Sequence, residues 1–223
     1  SIIDAEIKES LANIDGDVVV LSNSIISPST QVIIDTFTSK YAAKHVQYDA
    51  ISYNGILEAN HLSFGVRALP TYHLDKADVI VSFGADFLNS WLNVDFERQY
   101  VANRNPKTGK MSRHFQIESN LSLSGSNADV RVVVKPSEQL TLLENLYNTL
   151  KGNSTADLRI AEAASELSAA KGRSLVIAGS NDASVQIMVN AINDLLNNYG
   201  TTLDIENPCY LKKGDDAAVA SLV

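Results

Sequence analysis

The 223-residue chain carries 18 Lys+Arg against 26 Asp+Glu, a net charge of −8, and 45% of its residues are apolar. This is a globular balance, with length enough to bury a full core in one or two domains. It excludes a general nucleic-acid binder, which needs positive charge to meet phosphate. The single cysteine, Cys209, excludes an intramolecular disulfide and any four-cysteine cluster or zinc site made by this chain alone.

No apolar run approaches the roughly 20 residues that span a bilayer, and no basic segment precedes an apolar stretch as in a secretory signal. The chain begins at Ser1 and ends at Val223. It reads as a processed chain or, better, as an excised piece of a longer polypeptide.

Apolar runs alternate with helical periodicity from end to end. Val18–Leu21 reads as a strand, and Pro28 opens a helix to about Lys40 with Val32, Ile33, Phe37 and Tyr41 on a 3.6-residue period. His45–Tyr48 is a weak strand. Tyr53–Phe64 reads as a helix with Ile56, Leu57, His61 and Phe64 on one side. Val79–Val81 is a buried strand, and Leu92, Phe96 and Tyr100 mark a helix. Strands follow at His114–Glu118 and Val130–Val134, and Pro136 opens a helix through Leu150. Gly152-Asn153-Ser154-Thr155 reads as a linker between domains 1–152 and 153–223, the second completed by further sequence. Beyond it come an Ala-rich helix from Ala156 to Ala170, a strand at Leu175–Ala178, a helix at Ala183–Asn197 and a polar, irregular last 25 residues. Continuous apolar strands separated by helices predict an α/β fold, a mainly parallel sheet with helices on both faces. A strand, small polar turn and helix recur at Gly16–Ser24, Ala77–Ala85 and Gly172–Ser180, a nucleotide-fold type of unit.

Ligands of such sheets bind outside the carboxyl ends of the strands. The turns there supply the candidate cofactor cleft: Ser22, Asn23 and Ser24; Gly84, Ala85, Asp86 and Asn89; Glu118 and Ser119; Gly179 and Ser180. The same residue types also cap helices and make turns with no ligand at all. None of the turns is GxGxxG or a P-loop, and no GxSxG, HExxH or paired histidine is present. His45, His61, His73 and His114 are dispersed, and His61 reads as partly buried. Trp91, Phe96 and Tyr100 read as core, and Asp215 and Asp216 as a solvated tail. No catalytic or metal-ligating residue is assigned. Arg98, Arg104, Lys107, Lys110 and Arg113 are opposed only by Glu97; Arg104, Lys107, Lys110 and Arg113 are candidate contacts for an acidic partner, or else a solvated loop.

In order and spacing over about residues 1–200, these segments resemble the molybdopterin oxidoreductase superfamily of formate dehydrogenase, nitrate reductase and dimethyl sulfoxide reductase. The carriers are Ala77-Asp78-Val79-Ile80 with Gly84-Ala85-Asp86-Phe87, the strand into Glu118-Ser119-Asn120, Ala128-Asp129, and Pro136-Ser137-Glu138-Gln139. Tyr72–Ser82, Met111-Ser112-Arg113 and Ser124–Asp129 are most similar to the iron–sulfur, molybdopterin-like subunit of alternative complex III, a family often described as Fe–S hydrogenase components.

The resemblance implies a subunit of a membrane quinol oxidoreductase. It places the chain on the periplasmic face of the inner membrane without inserting there, among the other subunits of a redox complex. The departures imply that the cofactor is lost. Where the family has G-x-N-P this chain has Asp86, where it has D-P-R the arginine is missing, and PGTD has become Pro136-Ser137-Glu138-Gln139. A carboxylate beside a pyrophosphate in a poorly hydrated site repels it. The metal-ligand position falls near Ser52, which also reads as a helix start. The expected function is a non-catalytic scaffold with no cofactor in this chain and iron–sulfur clusters elsewhere in the parent protein. The alternatives are a fragment of a genuine molybdopterin-guanine-dinucleotide enzyme and an unrelated α/β small-molecule binding module.

Overall fold

The computed structural model describes residues 1–93, 95–153 and 157–222, apart from the side chains of Thr108 and Lys110. Two compact units emerge: Ser1–Asn54 with Tyr210–Val223, and Gly55–Cys209.

The first unit opens with helix α1 (Ile2–Ala12), which the apolar spacing alone does not announce. A capping box, Ser1 with Asp4, starts it. Strand β1 (Val19–Ser22) leads into α2 (Pro28–Tyr41), where Ser27 accepts from the Thr30 N–H and Pro28 occupies the first turn. Ala42 in the left-handed region ends it. Strand β2 (Lys44–Gln47) pairs parallel with β1, Val20 opposite His45. Val46 is the one buried apolar side chain among this unit's described residues, and α1 and α2 bury none.

The second unit begins with α3 (Asn54–Phe64), which buries Ile56 and Leu57. His61, expected to be partly buried, is exposed, one turn beyond buried Leu57. Strand β3 (Leu69–Tyr72) precedes β4 (Val79–Phe83), and α4 (Asp95–Ala102) buries Phe96 and Tyr100 as expected. A small hairpin, β5 (Arg104–Asn105) with β6 (Lys110–Met111), leads to β7 (Arg113–Glu118). The short α5 (Leu123–Ser126), β8 (Val130–Val133), α6 (Gln139–Leu150), α7 (Leu158–Ala169), β9 (Ser174–Ala178), α8 (Ala183–Leu195) and β10 (Leu203–Cys209) complete the unit. A last short helix, α9 (Asp216–Ala220), belongs to the first unit.

Four strands form one parallel sheet in the order β8-β7-β4-β9, with Val81 opposite Phe115 on one side and Val176 on the other. One face packs Val81, Phe83, Phe115, Ile117 and Val176 against Leu142 and Leu146 of α6, Ile160 and Leu167 of α7, and Val189 and Ile192 of α8. On the opposite face stands α4, its Tyr100 hydroxyl at the His114 ring. This is the expected α/β arrangement, a parallel sheet with helices on both faces.

Two expectations about chain organisation change. Strand β9 lies beside β4, so residues after 152 complete the same sheet, and the expected boundary at 152 falls inside the second unit. The Gly152-Asn153 turn connects two helices of one crossover, which by composition looks like a linker; Ser154, Thr155 and Ala156 lie outside the described residues. The polar C-terminal stretch, expected to be irregular, contains β10, paired antiparallel with β3. An irregularity in register between Asp204 and Cys209 accommodates Pro208, which has no N–H to give a ladder.

Candidate functional site

The carboxyl ends of β4, β7 and β9 come together in the second unit. Gly84 follows β4 with φ +68°, a left-handed conformation that favours glycine, and its N–H reaches the Ile117 carbonyl at 2.9 Å. Gly179 follows β9, and a Cβ on it would stand 2.5 Å from the Gly84 carbonyl oxygen. The two strand ends therefore touch through backbone alone. Gly179 N–H donates to the Phe83 carbonyl at 2.9 Å, Ser180 Oγ accepts from the Asp182 N–H, and the Ser180 carbonyl accepts from the Gln186 amide at 2.6 Å.

Carboxylates occupy the donor groups of the neighbouring turn. Asp86 Oδ1 accepts the Ser124 N–H at 2.9 Å and Oδ2 accepts the Asn89 amide at 3.2 Å. Burial alone would raise this carboxyl; the Ser124 and Asn89 hydrogen bonds outweigh it and hold the group below the usual carboxylate range. Glu118, buried at the end of β7, accepts Arg131 Nε at 2.6 Å, the Ser122 hydroxyl at 2.6 Å, the Ser122 N–H at 3.2 Å and the Gln116 amide at 3.2 Å. Burial again raises it, and Arg131 and Ser122 more than reverse that. Gln139, at the start of α6, places its amide near Gly84 and reaches Ser119 Oγ at 3.5 Å. The Ala85 carbonyl accepts from Ser82 Oγ and the Gln116 amide.

Between β4, β9, α6 and α8 remains a cavity of about 90 Å³ lined by Phe83, Gln139, Leu143, Ala178, Ser180 and Val185. Strand order reverses between β4 and β9, so this is the crevice where a doubly wound sheet binds its ligand. Ligand pockets run to roughly 300–1,000 Å³. This one has room for no more than a few waters.

The structure thus brings together Gly84, Ala85, Asp86, Asn89, Glu118, Ser119, Gly179 and Ser180. Ser22, Asn23 and Ser24 belong to the other unit and have partners of their own. Ser22 Oγ lies 2.9 Å from His45 Nε2, and the Ser24 hydroxyl donates to Asp49 at 2.6 Å, a carboxylate that also accepts the Gly214 N–H. Ser52 Oγ accepts the Asn54 N–H at the start of α3 and donates to Asp216, as a helix-start residue does. Among the described residues no group of three or more His, Cys, Asp or Glu side chains could hold a metal ion.

The basic segment is largely neutralised from within. Arg104 grips Asp129 with two nitrogens at 2.8 and 3.0 Å, Arg113 reaches Glu162 at 2.8 Å and Glu166 at 3.4 Å, and Arg98 pairs with Asp95. Of the four candidate contacts, Lys107 is exposed, Arg104 and Arg113 are committed internally, and the Lys110 side chain lies outside the described residues. Arg98 and Asp95 pair locally, three residues apart, whereas Asp129, Glu162 and Glu166 lie far along the chain, so spacing along 98–113 does not reveal the Arg104 and Arg113 pairs.

On β7 the candidate Glu118 has two polar neighbours, His114 and Gln116, that the sequence does not single out. His114, Gln116 and Glu118 share one strand face, buried between Tyr100 and Arg131. The signal was the alternation His114-Phe115-Gln116-Ile117-Glu118, which ordinarily marks a strand with one wet face. Here both faces are covered.

No family model matches the sequence, and no curated protein matches it. A solved chain of the formyltransferase/hydrolase complex (FhcABCD) from Methylorubrum extorquens, determined in complex with methylofuran, is similar in fold, with a TM-score of 0.63 at 16% sequence identity. The match covers 87% of this chain and 54% of that one, so the chain spans about half of the length of the chain it matches. These findings correct the expected membership in the molybdopterin oxidoreductase superfamily and its alternative complex III branch. Of the motifs that carried it, Gly84-Ala85-Asp86-Phe87 is the turn a parallel sheet needs where two strand ends touch, here β4 against Gly179 after β9. The oxidoreductase, iron–sulfur and hydrogenase expectations rested on the same motifs. Placement on the periplasmic membrane face falls with them; among the described residues no helix is long and apolar enough to cross a membrane. What the comparison shows is an α/β fold shared with one component of a multi-subunit complex.

Proposed function

We propose that this chain is a non-catalytic α/β scaffold domain that works inside a multi-subunit assembly and holds no nucleotide or pterin of its own. One observation carries the reading: Asp86 and Glu118, both held ionised, take the hydrogen-bond donors of the 122–124 turn at the strand ends. An incoming phosphate would meet two carboxylates against one guanidinium, Arg131, in a partly buried site where like charges repel strongly. The cavity of about 90 Å³ beside them supports the same reading. Membership of an assembly draws support from the formyltransferase/hydrolase complex, whose component shares the fold.

Isothermal titration with GMP, GDP and a reduced pterin tests the empty-cleft half, with no binding heat expected at millimolar ligand; micromolar uptake of any of them overturns it. Light scattering on the protein purified from its native cells tests the assembly half. A heteromeric mass is expected, and a free monomer contradicts it.

A further inference from the structure

The buried row on β7 forms one directed chain of hydrogen bonds. Gln116 Nε2 lies 3.2 Å from the Glu118 carboxylate and 3.3 Å from the Ala85 carbonyl, both acceptors, so the amide nitrogen belongs there. Its Oε1 therefore faces His114 Nε2 at 3.1 Å and has to receive a proton from it. Neutral His114 then carries its single proton on Nε2, and Nδ1 accepts from the Tyr100 hydroxyl at 3.1 Å. The same tyrosine oxygen lies 3.1 Å from the Asn127 carbonyl, a second acceptor for the same proton.

We propose that His114 and Tyr100 form a two-position proton switch: when His114 takes a second proton from solvent, Nδ1–H donates to the Tyr100 oxygen and the tyrosine hydroxyl turns to the Asn127 carbonyl. No heavy atom has to move, because both partners already stand at hydrogen-bond distance. In the acid position the whole hydroxyl proton goes to the Asn127 carbonyl and strengthens the tie from α4 to the Asn127–Asp129 connection. Asp129 in turn holds Arg104 of the β5–β6 hairpin and the His114 N–H, so the switch bears on how firmly that hairpin is seated.

The charged and titratable groups around the ring come from every element packed on it. Tyr100 comes from α4, Arg104 from β5, Asp129 from the turn before β8, and Glu118 from β7 itself. Arg104, 5.1 Å over the Tyr100 ring, opposes the second proton, while Asp129 and Glu118 favour it. The Phe87 ring, 5.1 Å away, and the complete burial of His114 keep the site dry and set the switch on the acid side of an ordinary histidine.

The test is nitrogen-15 NMR of the ring nitrogens between pH 7.5 and 3.5, with His114→Gln used for assignment. The expected result is an Nε2–H tautomer at pH 7.5, then uptake of one proton in the folded protein, with the Tyr100 Cζ shift following the same midpoint. In Tyr100→Phe the charged form loses its acceptor, the stronger of the two hydrogen bonds, and the midpoint falls. An Nδ1–H tautomer at pH 7.5, a Tyr100 Cζ shift that ignores the histidine, unfolding before His114 titrates, or a midpoint unchanged or raised in Tyr100→Phe overturns the proposal. The wild-type Cζ measurement decides the matter even where Tyr100→Phe does not fold.

Discussion

Glu118 Oε1 lies where a Cβ on Gly125 would stand. The glycine is what lets a buried carboxylate reach Arg131 and Ser122 at once. Gly125→Ala has to push Glu118 off those partners, leaving a buried charge short of hydrogen bonds, a loss of about 2–4 kcal/mol in urea unfolding. Adding Glu118→Ala should recover part of that loss, because the second change removes the clashing carboxylate. Additive losses in the double variant would contradict the geometry.

The second close approach is backbone on backbone. A Cβ on Gly179 meets the Gly84 carbonyl oxygen at 2.5 Å and its carbon at 2.9 Å, and neither can swing aside as a side chain could. Gly179→Ala should cost about 2–3 kcal/mol by forcing apart the ends of β4 and β9. Gly16→Ala, with open space around the added carbon, should leave the urea midpoint nearly unchanged.

Acid should weaken the fold in two stages. Burial pushes His114 down to about 4 from an ordinary value of 6.5, so the unfolded chain takes up a proton in a window where the folded one does not. Stability is complete above pH 6.5 and declines toward pH 4, by on the order of 3 kcal/mol in total. Glu118 and Asp129 are also lowered, so what they contribute is present above the ordinary carboxylate range and lost as pH falls below it. His114→Gln should flatten the first stage and keep the second, as read from urea midpoints at pH 7, 5.5, 4.5 and 3.5.

Arg104 and Arg98 look alike in sequence and differ in setting. Arg104 is mostly buried, holds Asp129 bidentately and donates to the Ser112 carbonyl. Arg104→Ala should cost roughly 2–3 kcal/mol. The Arg98–Asp95 pair is solvent-exposed, and Arg98→Ala should leave the thermal midpoint within error.

Much of the frame was legible, for a physical reason. Val79–Phe83 and Ser174–Ala178 are buried on both faces, so their apolar runs are continuous and name themselves as parallel strands. Ser27 with Pro28 announces the start of α2 in the same way. The partners across the fold were not legible. Glu118 finds Arg131 and Gly125, Arg113 finds Glu162, and Asp86 finds Ser124 only once the sheet is assembled. Strand β10 was hidden because its pairing with β3 is brief and irregular and its interior carries Asp204, Glu206 and Pro208. The expected anion-repelling role of Asp86 rested on its charge alone; the structure adds the Ser124 N–H that the carboxylate has taken.

That hydrogen bond is the most direct handle on the account. Inorganic pyrophosphate is titrated into nitrogen-15-labelled protein while the Ser124 amide resonance is followed, in the wild type and in Asp86→Ala. The account predicts a Ser124 signal that stays in place at millimolar pyrophosphate in the wild type and shifts only once the Asp86 carboxylate is gone. A wild-type Ser124 signal that moves at micromolar pyrophosphate would contradict it.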